Sequence, residues 1–435
     1  MSDQSIVRIF TDDSDVAGTG FRISRTRVLT YTHVVARALG REVTAETPGG
    51  EVRLDFPLAA PGESFSARVV YWQPGPASGD AALWAGDDIA ILEIEETPPD
   101  EFGGLAVEAP NNQHYSNVAS AFKRGQVVTF LGAGASLVGR PPGFTFKRPT
   151  AGGYRGLPTG GELAKHLART INYVPSDLHD LLGVTQYFKS NLGEGPLYSE
   201  LRAVFNDNYE VTPLHRFFAR LPSLLRARGC PNPHQFIVTT NYDDLMERAF
   251  EEAREPYDVV AYIAKGEDSG KFLHRRYNGG DAPPASDEDY MPDGEARVIE
   301  TPNEYRSLSP ESRSVVLKIH GAVDRANAEY DSYVITEDNY IDFLARADIS
   351  KLLPVTLAAK MRHSHFLFLG YSLRDWNLRV ILYRLWGEQK LSFRSWSILK
   401  SPHSRDQEFW SKREVDVLNA SLEDYIVRLE QRVSA

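Results

Sequence analysis

The chain has 435 residues, 42% of them apolar, with one cysteine and a formal net charge of −11. That length exceeds the limit of about 250–300 residues for a single core, so two domains are expected. The acidic balance argues against nonspecific nucleic-acid binding, the single Cys230 excludes an internal disulfide, and no run of about 18 apolar residues marks a membrane span.

Charge is unevenly spread. Residues 1–110 hold 8 Arg, no Lys and 18 Asp plus Glu, and so carry ten of the eleven excess negative charges. Such a break in composition predicts a boundary near residue 110, with domains at 1–110 and 111–435. Within the first, SIVRIF, GTGFRIS, RVLTYTHVV, EVRLDF, SARVVYW and DDIAILEIE alternate apolar and polar residues between Gly/Pro turns, which predicts a small all-β unit. GTGFRISRTRVLTYTHVV and DDIAILEI resemble two segments of a trypsin-like serine protease barrel, with His33 and Asp88 matching the triad histidine and aspartate. A triad also needs a serine from a second barrel, for which the chain has no room. The string GEDSG, with Ser269, lies far away in a polar stretch and reads as chance. The expectation is a truncated, degenerate half-barrel over residues 1–108 that senses or docks a partner.

The second domain begins with GQVVTFLGAGAS (125–136), an apolar run that stops at a polar motif. The pattern recurs in QFIVTTNYDD (235–244), SVVLKIHG (314–321) and HFLFLGYSLRD (365–375). Strands of an open parallel sheet are buried on both faces, and ligands bind beyond their carboxyl ends. At the first motif Gly132, Ala133 and Gly134 allow a tight turn and close backbone approach, with Ser136 opening a helix whose N-terminus favours anions. A pyrophosphate cradle and a simple packing solution both fit those residues. The Gly/Pro/Arg-rich stretch that follows, LVGRPPGFTFKRPTAGGYRGLPTGGEL, predicts a lid. Apolar residues at 3–4 spacing over 161–229 predict a helical subdomain, and the Arg-rich LPSLLRARG there reads as a solvated face or partner contact.

At the second and third motifs Asn241, Asp243, Asp244 and His320 place an amide, carboxylates and an imidazole at strand ends. Asn241 also suits a cap for the helix DDLMERAF. Tyr242 and Tyr371 read from the residues alone as packing aromatics, and Asp375 as a cap or an Arg partner. Residues 252–313 are polar and predict a long surface insertion, with helix at SGKFLHRRY. After the fourth motif the pattern predicts a helix at WNLRVILYRLWGE, strands at RSWSILK and REVDVLN, and a closing helix at SLEDYIVRLEQRV.

GAGAS, TTNYD, Lys-x-His-Gly and GYS-x-x-D in this order resemble the bacterial, NAD-hydrolysing branch of the sirtuin-like superfamily over residues 120–430. The resemblance implies an α/β fold, a Rossmann-type parallel sheet with helical subdomain and lid, that takes NAD as substrate and breaks its nicotinamide–ribose bond. Residue by residue it implies that Gly132, Ala133, Gly134 and Ser136 form a phosphate-binding turn. Asn241 would position the attacking water and the ribose, Asp243 would lie near the nicotinamide carboxamide, and His320 would be the general base. Gly370, Tyr371, Ser372 and Asp375 would form a second nucleotide-contacting loop. An imidazole can accept a proton at neutral pH, and a cationic leaving group needs orientation and charge placement more than a strong nucleophile.

Deacylase sirtuins carry a four-cysteine zinc module, which one cysteine cannot build, so no zinc is expected and water is the simplest acceptor. The expected protein is a cytoplasmic, homo-oligomeric NAD hydrolase without nucleic-acid or membrane partners. The resemblance further implies an antiphage effector that an activating partner or phage-derived trigger gates through the β unit. A protein deacylase and a non-catalytic NAD or ADP-ribose sensor are the alternatives.

Overall fold

The computed structural model describes residues 6–22, 26–57, 60–74, 88–95, 108–146, 155–173, 180–279, 291–345, 353–371, 393–402, 407 and 410–435. The chain forms two compact units, Met1–Ala106 and Val107–Ala435.

In the first unit, strands β1 (Ile6–Phe10), β2 (Val16–Arg22) and β3 (Arg27–Thr30) are followed by a short helix α1 (Thr32–Ala38) and then β4 (Glu51–Phe56), β5 (Ala60–Gln73) and β6 (Ile89–Ile94). They close a six-stranded barrel in the order β1-β2-β3-β6-β5-β4, every described pair antiparallel. Alternation does the work: Val7, Ile9, Val28, Val52, Leu54 and Leu92 point inward and are fully or almost fully buried.

One expectation fails here. The run RVLTYTHVV reads as one strand, yet the strand stops at Thr30 and Thr32–Ala38 is helical. The Asp88 carboxylate takes the backbone N–H of Thr32 at 2.8 Å and also binds its hydroxyl, which ties down the first turn as a capping side chain would. The same carboxylate lies 2.5 Å from His33 Nδ1, with the His33 ring exposed and stacked on Tyr31.

The second unit is a nine-stranded sheet with helices on both faces. After α2 (Asn112–Lys123) come β7 (Val127–Leu131), helices α3 (Gly160–Thr170), α4 (Leu181–Leu192), α5 (Glu194–Phe205) and α6 (Pro213–Arg226), then β8 (Phe236–Thr239) and α7 (Leu245–Ala253). Next are β9 (Tyr257–Tyr262), β10 (Phe272–Tyr277), β11 (Ala296–Ile299), β12 (Ser314–Lys318), α8 (Glu337–Ala345), α9 (Val355–Arg362), β13 (His365–Leu369), β14 (Ser395–Leu399), β15 (Val415–Asn419) and α10 (Leu422–Ser434). The order is β11-β10-β9-β12-β8-β7-β13-β14-β15. From β9 to β15 neighbours are parallel, while β10 and β11 add an antiparallel edge.

That edge overturns the helix expected at SGKFLHRRY. Phe272–Tyr277 pairs with both β9 and β11, so part of the supposed insertion extends the sheet. Its polar residues are buried because they pair. Asp258 of β9 accepts from Arg276 Nε at 3.1 Å and Arg313 Nε at 3.2 Å, and His274 Nε2 lies 3.5 Å away. Burial works to raise the Asp258 carboxyl, but His274 and the two arginines outweigh it and hold it below the ordinary carboxylate range. The strands at RSWSILK and REVDVLN and the closing helix are present as β14, β15 and α10. The helix expected at WNLRVILYRLWGE and the centre of the expected lid, 147–154, lie outside the described residues.

Helices α3, α4 and α5 share a core with Val323, Tyr333 and Ile335 and form the expected helical layer. Its first helix starts at a capping box in which Thr159 Oγ1 accepts Glu162 N–H and Glu162 accepts Thr159 N–H. Glu162 also accepts Phe146 N–H at 2.8 Å and pairs with Arg140, so its carboxyl falls to about 2 although burial alone would raise it. Thr159→Ala should cost about 1 kcal/mol, read from the urea midpoint.

Sheet order fixes where a ligand could bind. From β7 the chain proceeds to β8 on one side, and from β13 to β14 on the other, so loops leaving the carboxyl ends of adjacent β7 and β13 diverge. A crevice at such a switch point is where open α/β sheets hold ligands.

Candidate functional site

Register brings the four motifs to one edge. Lys318 of β12 pairs with Thr239 of β8, Thr239 with Leu131 of β7, and Leu131 with Leu369 of β13. His320, Asn241, Ala133 and Tyr371 each follow two residues later, one beside the next along the carboxyl edge.

The glycine turn differs from expectation. Ala133–Leu137 is a five-residue 3₁₀ turn, not the start of an α-helix, so no helix N-terminus is available there for an anion. The amides of Gly132 and Gly134 donate to the Leu369 and Gly370 carbonyls, each at 2.9 Å, and are committed within the protein. A Cβ on Gly132 would lie 2.6 Å from Gly370 O, and one on Gly134 2.9 Å from Gly370 Cα. These glycines therefore let two loops cross backbone to backbone at the switch point. Gly370 belongs to the same crossing, and Tyr371 is buried against Gly132, its hydroxyl 3.2 Å from Thr240 Oγ1. Ser372 and Asp375 lie outside the described residues.

Asn241 does not cap α7: Asp243 Oδ1 takes Leu245 N–H at 3.1 Å instead. The Asn241 side chain donates from Nδ2 to Gly132 O and to Ser136 Oγ, both at 3.1 Å, while its backbone N–H is held by Thr239 Oγ1 at 3.0 Å. Its Oδ1 has no hydrogen bond among the described residues. Gly132 O can only accept, which favours this orientation of the amide, and Asn241 offers an acceptor to a ligand. Ser136 Oγ donates to Asp243 Oδ2 at 3.0 Å. Both Ser136 and Asp243 are buried, and Asp243 faces protein rather than open space.

Three acidic groups gather behind this edge on the α7 side. Burial raises the carboxyls of Asp243, Asp244 and Glu247, the last to about 7. Against them stand Arg325, paired with Asp244, and Lys318, whose Nζ lies 2.6 Å from Glu247 Oε1 and donates to the Asp243 main-chain carbonyl. Lys318 is wholly buried. Sequence reasoning passed over Lys318 and Glu247; the signal was a lysine closing the otherwise apolar strand SVVLK, answered by a glutamate in the first turn of α7.

His320 follows β12 at a turn made possible by Gly321, whose φ of +84° is left-handed. The His320 carbonyl accepts Val334 N–H at 2.9 Å, and its ring meets Tyr340 and Phe343 of α8 edge to face, with centroids 5.4 and 5.6 Å away. The ring is buried and its Nε2 has no hydrogen-bond partner among the described residues. Burial pushes its pKa down to about 3, so the imidazole is neutral at pH 7. Its Nε2 is one of several buried polar atoms without a partner among the described residues, and each such atom calls for a physical account. Among the described residues no group of three or more His, Cys, Asp or Glu could hold a metal ion, and no helix is long and apolar enough to cross a membrane.

Three curated proteins and one solved structure resemble the chain over part of its length. The chain is 26% identical over 266 residues to an NAD(+) hydrolase ThsA of Enterococcus faecium, covering 61% of this chain and 41% of that protein. It is 26% identical over 226 residues to the NAD(+) hydrolase ThsA of Acinetobacter baumannii (strain 532279), covering 52% and 35%. A third, from Bacillus cereus (strain MSX-D12), is 25% identical over 238 residues, covering 53% and 37%. The chain thus spans about two fifths or less of the length of the curated relatives it matches. A crystal structure of Rv3671c from M. tuberculosis H37Rv, in an inactive mutant form, is 28% identical and covers 25% of this chain and 41% of that one, with a TM-score of 0.15. The motifs at 235–244, 314–321 and all but the first glycine turn fall within residues 235–418, which match the family model of the SIR2-like domain.

Proposed function

We propose that this chain hydrolyses NAD to nicotinamide and ADP-ribose. The carrying observation is the unpartnered, buried Nε2 of a neutral His320, two residues beyond a strand end and in register with an Asn241 amide whose oxygen is free. The names of the three relatives, NAD(+) hydrolases, support the same reading. In the reaction the C1′–N bond breaks with its electron pair going to the pyridinium nitrogen, which neutralises nicotinamide and leaves oxocarbenium character on the ribose. Water adds to that carbon and loses a proton. Asn241 Oδ1 accepts from the water or a ribose hydroxyl and fixes its direction, and His320 takes the proton. The crossing of the Gly132–Gly134 and Gly370–Tyr371 loops is the floor on which the dinucleotide lies, and Ser372 and Asp375, which follow in sequence, are assigned to nucleotide contact.

Unrestrained NAD loss harms any cell, so the activity needs a gate. The acidic barrel is the element that senses or docks an activating partner, with His33 and Asp88 serving its α1 turn rather than proteolysis. A cytoplasmic, homo-oligomeric antiphage effector is the physiological form of this reading.

The test is chromatography of NAD incubated with purified protein at several concentrations, with and without an acylated peptide. Peptide-independent release of nicotinamide and ADP-ribose in equal amounts supports the hydrolase. Release only with peptide supports a deacylase, and tight binding of NAD without release a sensor.

A further inference from the structure

The reading above makes no use of Lys318, although a wholly buried lysine is expensive to keep charged. Its surroundings are a chain of contacts that ends on Asn241. Lys318 Nζ binds the Asp243 carbonyl and the Glu247 carboxylate, the Asp243 side chain accepts from Ser136 Oγ, and Ser136 Oγ receives Asn241 Nδ2. A hydroxyl has one hydrogen to give. While Asp243 is a carboxylate it can only accept, so that hydrogen must point at Asp243 and the Ser136 lone pairs are left for the Asn241 amide. A protonated Asp243 removes that compulsion, and Ser136 becomes free to turn its hydrogen toward Asn241, where it repels the amide N–H.

We propose that Lys318 is a positioning residue for nicotinamide–ribose cleavage, acting through the Asp243 carboxylate and the Ser136 hydroxyl to lock the Asn241 amide with its oxygen toward the substrate. The inference rests on the hydrolase reading; Lys318 acts on the Asp243 carboxylate as a buried charge held against that residue's own carbonyl, and the steps from Asp243 through Ser136 to Asn241 are hydrogen bonds. Burial raises the Asp243 carboxyl, and Lys318 is the first counterweight. The other charged groups near the relay are Asp244 and Glu247 on α7, Arg325, and His215 on α6, whose pKa burial and then Lys318 lower to about 3. Asp244 is largely answered by its own arginine, so Lys318 has no substitute beside Asp243.

Two measurements test the relay in the full chain. In carboxyl-¹³C and side-chain amide ¹⁵N spectra of the wild type, the Asn241 NH₂ signals should shift at the pH where Asp243 titrates, and Ser136→Ala should abolish that shift while Asp243 still titrates. Lys318→Met, checked for fold by circular dichroism, should move the Asp243 midpoint upward. It should also lower kcat at pH 7 about 10–100-fold with KM changed less than about threefold, the acid limb of kcat moving up with the midpoint. A purely structural lysine would lower stability without moving the acid limb. Asn241 signals that ignore the Asp243 titration would overturn the relay, with no need for Lys318→Met to fold. If the chain without its activating partner releases no nicotinamide at any pH, the amide titration alone decides whether the relay exists.

Discussion

His320→Gln should reduce nicotinamide release about 10²–10⁴-fold, and Asn241→Ala about 10²–10³-fold, with both proteins folded. The two losses differ in kind. His320 is assigned the proton, so its loss falls on kcat. Asn241 orients both ground and transition states through one oxygen, so Asn241→Ala should also raise KM. Because burial holds His320 near pH 3, the acid limb of the wild-type rate should not track an ordinary histidine near pH 6.5.

The same burial has a stability consequence whose sign is fixed. The folded pKa of His320 is depressed below the unfolded value, so as pH falls from 6.5 toward 3 only the unfolded chain takes up the proton, and stability is lost over that window. The slope is about 1.4 kcal/mol per pH unit for one such group. Glu247, raised to about 7 by burial, works in the opposite sense, gaining a proton in the folded state first as pH falls. The difference between wild type and His320→Gln isolates the histidine: between pH 6.5 and 4.5 the variant should lose about 2 kcal/mol less than the wild type by urea unfolding. Equal slopes would mean that His320 is hydrated, and its role as a desolvated base would fall with them.

How much was legible beforehand depended on whether a residue's partner was local. Six of the seven parallel strands were readable, β7, β8, β12 and β13 because burial on both faces makes each a nearly continuous apolar run and β14 and β15 as shorter mixed segments, whereas β9 fell inside the surface insertion expected over 252–313. Edge strand β10 was not readable, because FLHRRY looks solvated until Asp258, brought alongside by β9, neutralises Arg276 and Arg313. Helix α1 was missed for a similar reason: valine-rich THVVARA has strand propensity, but Asp88, 56 positions from Thr32, anchors its first turn. In the site, residue type was legible and duty was not. Glycines that suit a phosphate cradle turned out to separate two backbones, and an aspartate that suits a ligand turned out to hold a serine. Both outcomes depend on loops from different strands meeting, which no local pattern encodes.

Gly370→Ala should destabilise the second unit by about 3 kcal/mol or more and abolish activity. Two costs coincide there. Gly370 has φ +75°, where a side chain is strained, and its added Cβ would sit 2.2 Å from Ala135 N and 2.7 Å from Gly134 C. Both are backbone atoms of the crossing turn, so no rotamer change relieves the clash, and the β7 and β13 loops must separate. Gly139→Ala is the matched control. Its φ of +83° imposes similar strain, but the nearest atom to the new Cβ is Pro213 Cδ at 3.5 Å, an ordinary contact, so about 1 kcal/mol is expected. Urea unfolding of the two variants, followed by hydrogen exchange at the amides of Gly132 and Gly134, separates strain from collision. Equal destabilisation would show that the loops are not in backbone contact. A larger loss at Gly370 with faster exchange at both amides would show that the crossing is what holds Gly132 O in place, and with it an acceptor that orients the Asn241 amide independently of Ser136.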